Sequence, residues 1–230
     1  MCIRDSPCTV VLDLSADIGT GLSGKGGYPE LDTSKAGYAI TLAATLLMFM
    51  HRHGEPIGLE IVAGDGVQHT SLPPRGGRQH LQQCMLSLAS ARPAGRAGLS
   101  RALAKVGDRT RRRSWVGVIT DGMEEPEQWL GALSVFARRR TDLRFFHLFD
   151  RGEMDLQFRN PALFFSPEGG ADLAVDPVGA KAAFHEVVQE YLDEVRQGVT
   201  RFGGQYMAVG TDRALEETIR TAVLSAAVAT

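Results

Sequence analysis

The chain has 230 residues, of which 43% are hydrophobic and 23% charged, and its formal net charge is -2. This composition is that of an ordinary soluble globular protein, and the near balance of charge gives no attraction to nucleic acid or to an anionic membrane surface. Cys2, Cys8 and Cys84 have neither the spacing of a metal knuckle nor the density of a disulfide scaffold, so we expect a reducing, cytoplasmic compartment for this chain.

The N-terminus sets the expected domain boundaries. The opening hexamer MCIRDS has no signal-peptide features and resembles translated sequencing-adapter sequence, so we expect residues 1–7 to be leader or non-native residues. We expect a single domain over residues 8–230, with a native N-terminal portion missing. The longest apolar run, 36–50, is too short to span a bilayer and predicts a buried helix.

The first half of the chain alternates short apolar runs with segments of helical period. In chain order we predict a buried strand ending at Asp13, a helix over 34–53, a strand over 56–64, a short antiparallel partner over 67–71, and helices over 78–90 and 98–106. The strand over 56–64 alternates apolar residues with Gly58 and Glu60, which predicts a half-buried strand or one near an edge. The segment 72–77, LPPRGG, is expected to be a loop.

The second half continues the alternation. It contains a buried strand over 114–120, a helix carrying Trp129, Leu133 and Phe136, a strand over 143–149, an irregular segment with a hairpin across 168–170, a helix from Pro177, a strand over 205–210 and a final helix. Such alternation predicts an α/β fold in three layers, a doubly wound, mostly parallel sheet with helices on both faces.

The glycine-rich segment 12–30, LDLSADIGTGLSGKGGYPE, matches two nucleotide motifs in spacing alone. A dinucleotide fingerprint requires the strand to turn directly into a helix, but Gly19 lies six positions after Asp13, and GGYP after Lys25 prevents a helix from starting. A phosphate-binding loop requires Ser or Thr after the lysine, where this chain has Gly26. Both nucleotide interpretations therefore fail, and a surface loop accounts for the glycines.

Carboxylates follow two of the predicted parallel strands. Asp13 ends one buried strand and Asp121 follows another, and ligands of such sheets bind at the carboxyl ends of the strands. Ser15 and Asp17 add oxygens from the loop after Asp13, and hard cations such as Mg²⁺ and Mn²⁺ prefer oxygen ligands. Each Asp alone is more typical of a cap or turn. If the two strands are neighbours, however, the two acids converge and together with the loop oxygens favour a cation site.

The pattern Asp13-x-Ser15-x-Asp17 resembles the Asp-x-Ser-x-Ser signature of von Willebrand factor A-like domains. In that family the metal-ion-dependent adhesion site continues with a Thr from a second loop and an Asp from a third. Asp121 in VITDG is similar to the third-loop Asp. The resemblance implies a metal site made by Asp13, Ser15, Asp17 and Asp121.

More narrowly, the chain from Cys8 onward resembles the bacterial family DUF 58, whose members accompany MoxR-type AAA+ ATPases. The stretches that carry this resemblance are VVLDLSADIGTG, GVITDG, FFHLFDRGEMDL, FFSPEGG and YMAVGTDRALEETI. The resemblance implies a MoxR-type partner system, and also an N-terminal membrane tether that would place the full-length protein at the cytoplasmic face of a membrane.

Two departures from the family pattern weaken the implied site. Asp17 stands where the family has a second Ser, and Ala97 stands where it has the coordinating Thr. Asp17 can still bind a cation, but Ala97 cannot. We therefore expect a degenerate site, with reduced affinity for Mg²⁺ or Mn²⁺, with an altered ion preference, or vestigial.

The preferred functional hypothesis is a non-catalytic protein-binding module. The alternative is a magnesium-dependent phosphohydrolase of the haloacid-dehalogenase type with Asp13 as nucleophile. That chemistry requires an acid two residues later, where this chain has Ser15, and a phosphate-binding lysine, for which Lys105 is the sole candidate. The six histidines are scattered, and we expect surface or capping roles for them.

Overall fold

The computed structural model of the chain describes residues 6–19, 34–63, 68–95, 98–150, 162–164, 173–175 and 177–228. The strands are β1 (Cys8–Asp13), β2 (Ile57–Ala63), β3 (Gln68–Arg75), β4 (Trp115–Thr120), β5 (Asp142–Phe149), β6 (Ala162–Phe164), β7 (Leu173–Val175) and β8 (Gln205–Gly210). The α-helices are α1 (Lys35–Arg52), α2 (Arg78–Ser90), α3 (Leu99–Arg109), α4 (Pro126–Trp129), α5 (Ser134–Arg138), α6 (Pro177–Arg201) and α7 (Leu215–Val228). Two 3-10 helices cover Ala16–Gly19 and Leu130–Leu133.

Six strands form one sheet in the order β3-β2-β1-β4-β5-β8. All neighbouring pairs are parallel except β2 with the edge strand β3. After β1 the chain adds β2 and β3 on one side of that strand. It then crosses over and adds β4, β5 and β8 on the other side, so the direction in which strands are added reverses between β1 and β4. The predicted doubly wound α/β fold is confirmed.

Helices cover both faces of this sheet. On one face α1, α2 and α7 pack on alternate strand residues such as Val10 and Leu12, and on the other α3, the α4–α5 segment and α6 pack around Val11. Within α1, Leu42, Leu46 and Leu47 are fully buried, and burial of each such side chain contributes roughly 1.5–3 kcal/mol. The two faces therefore hold separate apolar cores with the sheet between them.

Helix α1 has the ends that its sequence predicts. The hydroxyl of Ser34 accepts a 3.1 Å hydrogen bond from the backbone N–H of Gly37, which caps the first turn. Gly54 follows the C-terminal end with a φ of 83°, a conformation that glycine adopts without strain. These two features define where α1 begins and where it ends.

Strand β2 is wholly buried, so the prediction of a half-buried strand is wrong, although its place next to the edge strand is right. The polar face was expected to meet solvent, but Glu60 forms a 2.9 Å ion pair with Arg109 and has Lys105 at 3.5 Å, both from α3. A charged strand residue can be buried when a neighbouring helix supplies its counter-charges.

Two further boundaries differ from the prediction. Residues 72–75 belong to β3 and not to a loop, because this edge strand accommodates Pro73 and Pro74 at an irregularity in its pairing with β2. The single predicted helix around Trp129, Leu133 and Phe136 is instead α4, a 3-10 turn and α5 in succession. All three side chains are nevertheless fully buried, as their spacing indicates.

The elements after β5 also agree in outline with those predicted from the sequence. Strands β6 and β7 pair antiparallel, which confirms the hairpin, while residues 165–172 that connect them lie outside the described residues. Helix α6 begins at Pro177 as predicted. Within it Val195 is buried, whereas Val187 is 63% exposed. None of the helices in the described ranges is long and apolar enough to cross a membrane.

Candidate functional site

The carboxyl ends of β1 and β4 lie side by side where the connections of the sheet reverse direction. Leu12 pairs with Ile119, so Asp13 at the end of β1 is level with Thr120 at the end of β4. In open α/β sheets the ligand crevice forms at such a point, outside the carboxyl ends of the strands. The predicted meeting of the two acidic strand ends therefore occurs.

Asp13 is 2% exposed and both of its carboxylate oxygens accept hydrogen bonds. Oδ1 accepts from the backbone N–H of Ser15 at 3.0 Å, and Oδ2 accepts from the hydroxyl of Thr120 at 2.8 Å. Burial, together with the nearby negative charge of Asp121, raises the pKa of Asp13 to about 7, despite these two hydrogen bonds. The carboxyl group of Asp13 therefore ionises less readily than that of an exposed aspartate.

Ser15 and Asp121, two of the other predicted ligands, lie beside Asp13. The side-chain oxygens Ser15 Oγ and Asp121 Oδ1 are buried and have no hydrogen-bond partner among the described residues. Asp17 is half-buried in the 3-10 helix Ala16–Gly19 that follows. Buried polar atoms without partners are uncommon, and they often mark the place of a ligand or ion.

A cationic side chain already lies in the site. Lys35, the first residue of α1, is 3% exposed, and its Nζ lies 3.2 Å from Oδ2 of Asp121. The sequence interpretation missed this residue, although a signal was present. A lysine in the first turn of a helix opposes the helix dipole, so Lys35 directly after the cap Ser34 is an unfavourable placement that marks it for attention.

The loop after β4 is held by two aromatic hydrogen-bond donors. His147 Nε2 lies 3.0 Å from the carbonyl oxygen of Asp121, and the hydroxyl of Tyr191 donates to the carbonyl oxygen of Gly122. Burial lowers the pKa of His147 to about 4, so the ring is neutral, with Nε2–H donating to Asp121 and Nδ1 accepting from the hydroxyl of Tyr206 at 3.0 Å. The expectation of a surface or capping role was wrong for His147, which is fully buried.

Three loops converge beside these groups. The backbone N–H of Ala16 donates to the carbonyl of Gly95 at 2.9 Å, and that of Ala94 to Leu14 at 3.0 Å. Oε2 of Glu124 accepts from the backbone N–H of Leu99 at 2.9 Å, which joins the loop after β4 to the start of α3. Ala97, at the position of the second-loop ligand, lies outside the described residues. So do residues 20–33, which include the greater part of the glycine-rich segment.

The residues present fit a divalent cation only in part. Carboxylate and hydroxyl oxygens of Asp13, Ser15 and Asp121 are suitable donors for Mg²⁺ or Mn²⁺. However, the ammonium group of Lys35 contacts Asp121, and a second cation beside it is disfavoured by repulsion. In the described part of the chain, no three His, Cys, Asp or Glu side chains form a group that could hold a metal ion.

Comparison with solved structures shows the fold to which this arrangement belongs. The chain is similar to the conserved hypothetical protein BatB from Bacteroides thetaiotaomicron, with a TM-score of 0.57 and 14% identity over 96% of this chain and 98% of that one. It is also similar to an aerotolerance-related membrane protein from Bacteroides fragilis NCTC 9343, with a TM-score of 0.53 and 14% identity over 92% and 96% of the two chains.

A third similar structure is the SpRpn10 VWA domain, with a TM-score of 0.50 and 9% identity over 95% of both chains. A comparison with curated proteins finds no match. The model of the family described as "Protein of unknown function DUF58" matches residues 17–194, which is most of the chain. The chain therefore belongs to the DUF58 family, and its fold is that of a von Willebrand factor A-like domain.

Proposed function

We propose that this domain is a non-catalytic scaffold that binds a protein partner at the carboxyl edge of its sheet. The observation that carries the proposal is the arrangement at the ends of β1 and β4, where Asp13, Thr120 and Asp121 lie together. The loops after β1 and β4 are each hydrogen-bonded to the segment that leads into α3. A rigid edge of this kind loses little conformational entropy when a partner binds. The DUF58 family and the von Willebrand factor A-like fold are consistent with such a scaffold.

The partner that we propose is a MoxR-type AAA+ ATPase, on the basis of the family resemblance. We further propose that the domain works in the cytoplasm, at the membrane face in the full-length protein. Met123 supports the proposed location of the interface, because its side chain is 63% exposed two residues after Asp121. An exposed apolar side chain beside buried polar groups is a suitable contact for a protein partner.

The site itself is proposed to be a degenerate form of the metal-ion-dependent adhesion site. Asp13, Ser15, Asp17 and Asp121 would supply its oxygens, and an ion held there would offer an open position to a partner carboxylate. With Ala97 in place of a ligand, and with Lys35 on Asp121, affinity for Mg²⁺ or Mn²⁺ would be low.

The geometry does not favour the phosphohydrolase alternative. A nucleophilic carboxylate must be ionised and reach its substrate, whereas Asp13 is 2% exposed, has both oxygens hydrogen-bonded and has a pKa raised to about 7. Lys105, the candidate phosphate-binding residue, instead pairs with Glu60 on β2. Steady hydrolysis of para-nitrophenyl phosphate that is lost in Asp13→Asn would contradict the non-catalytic proposal.

The direct test measures binding of the purified domain to a purified MoxR-type ATPase from the same genome by biolayer interferometry. We expect Met123→Asp to weaken binding by about 10-fold or more, because a charge would replace a buried apolar contact. Leu86→Asp is the matched control, since Leu86 on α2 is 62% exposed but lies away from β1 and β4. Equal loss in both variants, or no binding by the unmodified domain, would contradict the proposed interface.

A further inference from the structure

We propose that the ammonium group of Lys35 is the resident cation of this site, so that the domain binds its partner without a divalent metal ion. This inference rests on the proposed protein-binding function at the same edge of the sheet, and it replaces the ion of the degenerate site with the ammonium group of Lys35. It assigns to Lys35 a role that is otherwise expected of a bound ion. The evidence lies in the position, burial and charge of the groups around its Nζ atom.

The first step concerns position. Lys35 Nζ and Asp121 Oδ2 are 3.2 Å apart, and the side chains of both residues are almost fully buried, at 3% and 2% exposed. The two residues are 86 positions apart in sequence, so the pair joins the start of α1 to the end of β4. A fully desolvated ammonium is retained only when nearby negative charge or hydrogen bonds compensate it.

The second step concerns charge. Asp13 is also buried at this edge and lies within the electrostatic influence of Asp121, so two carboxyl groups share one poorly solvated region. A divalent ion would compensate such a pair, and Lys35 supplies positive charge covalently in its place. A divalent ion bound to the carboxylate of Asp121 would lie close to the ammonium group, and like charges at short range repel strongly. The ion and the ammonium group therefore compete for Asp121.

The third step concerns the helix. Lys35 occupies the first turn of α1, where the positive end of the helix dipole disfavours a cation. A surface lysine at this position would turn into solvent, because its chain is long enough to do so. Lys35 instead lies inward against Asp121. Its buried position therefore depends on the acidic site, and not on helix formation.

The fourth step concerns the oxygens that Lys35 leaves unsatisfied. Ser15 Oγ and Asp121 Oδ1 are buried and lack hydrogen-bond partners among the residues described. If the ammonium group is removed, these atoms and the carboxylate of Asp13 become available to a hard cation. The inference therefore predicts a gain of metal binding on loss of Lys35, which a purely structural lysine would not produce.

The test is calorimetric titration of the purified chain with MnCl₂ and MgCl₂. We expect the unmodified chain to show no saturable binding below about millimolar ion, and Lys35→Met to bind Mn²⁺ at least about 10-fold more tightly. The gain should disappear in Lys35→Met/Asp121→Ala. Lys181→Met, at an exposed position of α6, is the matched control and should gain nothing.

Either of two results would overturn the inference: the unmodified chain binds Mn²⁺ as tightly as Lys35→Met, or folded Lys35→Met gains no affinity. If Lys35→Met does not fold by itself, thermal unfolding of the variant is followed with and without MnCl₂. Recovery of a cooperative transition with Mn²⁺ supports the inference, and an absence of recovery contradicts it.

Binding of the MoxR-type ATPase in excess EDTA separates this inference from the proposed function. Undiminished binding in EDTA supports both. Binding that requires Mg²⁺ and is abolished by EDTA contradicts the role of Lys35 but leaves the protein-binding function in place. Absence of binding under both conditions contradicts the proposed partner, whereas the metal titrations still decide the role of Lys35.

Discussion

The hydroxyl of Thr120 connects the ends of two parallel strands, because it donates a 2.8 Å hydrogen bond to Oδ2 of Asp13. The same Oγ1 atom accepts a 2.9 Å hydrogen bond from the backbone N–H of Gly122. Thr120 thus links the buried carboxyl group of β1 to the loop that follows β4. The stability of the edge depends on this residue, which the sequence pattern did not identify as part of the site.

Replacement of Thr120 by Val should destabilise the domain by roughly 1–3 kcal/mol, because Asp13 Oδ2 and the N–H of Gly122 each lose a partner in the interior. Urea denaturation followed by circular dichroism measures the change in the free energy of unfolding. Thr120→Ser is the control, since it keeps the hydroxyl and loses one methyl group. If the Val and Ser variants are equally stable, the hydrogen bonds of Thr120 do not stabilise this edge.

The stability of the protein should depend on pH through Asp13. Because burial raises the pKa of Asp13 from its ordinary value to about 7, the folded protein binds this proton more tightly than the unfolded chain does. The contribution of protonated Asp13 to the free energy of unfolding is fully present below about pH 3.9, the ordinary Asp pKa. It is lost as pH rises through about 7. The side chain that Asp13→Asn introduces does not titrate, so this variant does not lose stability in this way. We therefore expect its free energy of unfolding to rise relative to that of the unmodified protein as pH increases.

Urea denaturation at several values between about pH 5 and about pH 8 tests this expectation. The difference in the free energy of unfolding between Asp13→Asn and the unmodified protein should increase over this range and level off above it. Asp108→Asn is the control, because Asp108 is exposed on α3. Parallel curves for Asp13→Asn and the unmodified protein would show that Asp13 is not perturbed in the folded state.

Gly122 should tolerate no side chain. Its φ of 68° lies in the left-handed region, and an added Cβ would collide with the imidazole of His147 and the hydroxyl of Tyr191. Gly122→Ala should therefore cost about 1–3 kcal/mol from backbone strain, with a further loss from the displaced ring. Gly131→Ala is the control, since a Cβ added there would meet nothing within 4 Å and the residue is exposed.

Thermal unfolding measures both glycine variants. We expect a lower Tm for Gly122→Ala, and a Tm within error of the unmodified protein for Gly131→Ala. A normal Tm for Gly122→Ala would mean that His147 and Tyr191 do not hold this loop.

The thiols of Cys8 and Cys84 should be unreactive in the folded protein. Both residues are buried, and burial raises the pKa of Cys8 to about 12 and that of Cys84 to about 11. Since the thiolate is the reactive species, a Cys2→Ser variant should react with Ellman's reagent rapidly only after denaturation. Rapid reaction of the native variant would contradict the buried positions of these two cysteines.

The sequence by itself determined the architecture and the acidic edge. Apolar runs predicted the strands that end at Asp13 and Thr120, and the intervening helical periods predicted their parallel arrangement. The carboxyl ends of parallel strands lie at one edge, so both acids were expected there, but their approach also required β1 and β4 to be neighbours, which the structure shows. Ser15 and Asp17 were expected near this edge because they follow closely after Asp13 in sequence.

Contacts between distant segments were decided only by the tertiary structure. Glu60 is buried because α3 covers it with Arg109, and an alternating pattern in β2 contains no information about that helix. His147 is buried because the loop after β4 offers it the carbonyl of Asp121. Lys35 turns inward because Asp121, 86 residues later, lies opposite it. Local periodicity determines which face of an element is apolar, whereas the partner of a buried charge depends on which strands become neighbours in the folded sheet.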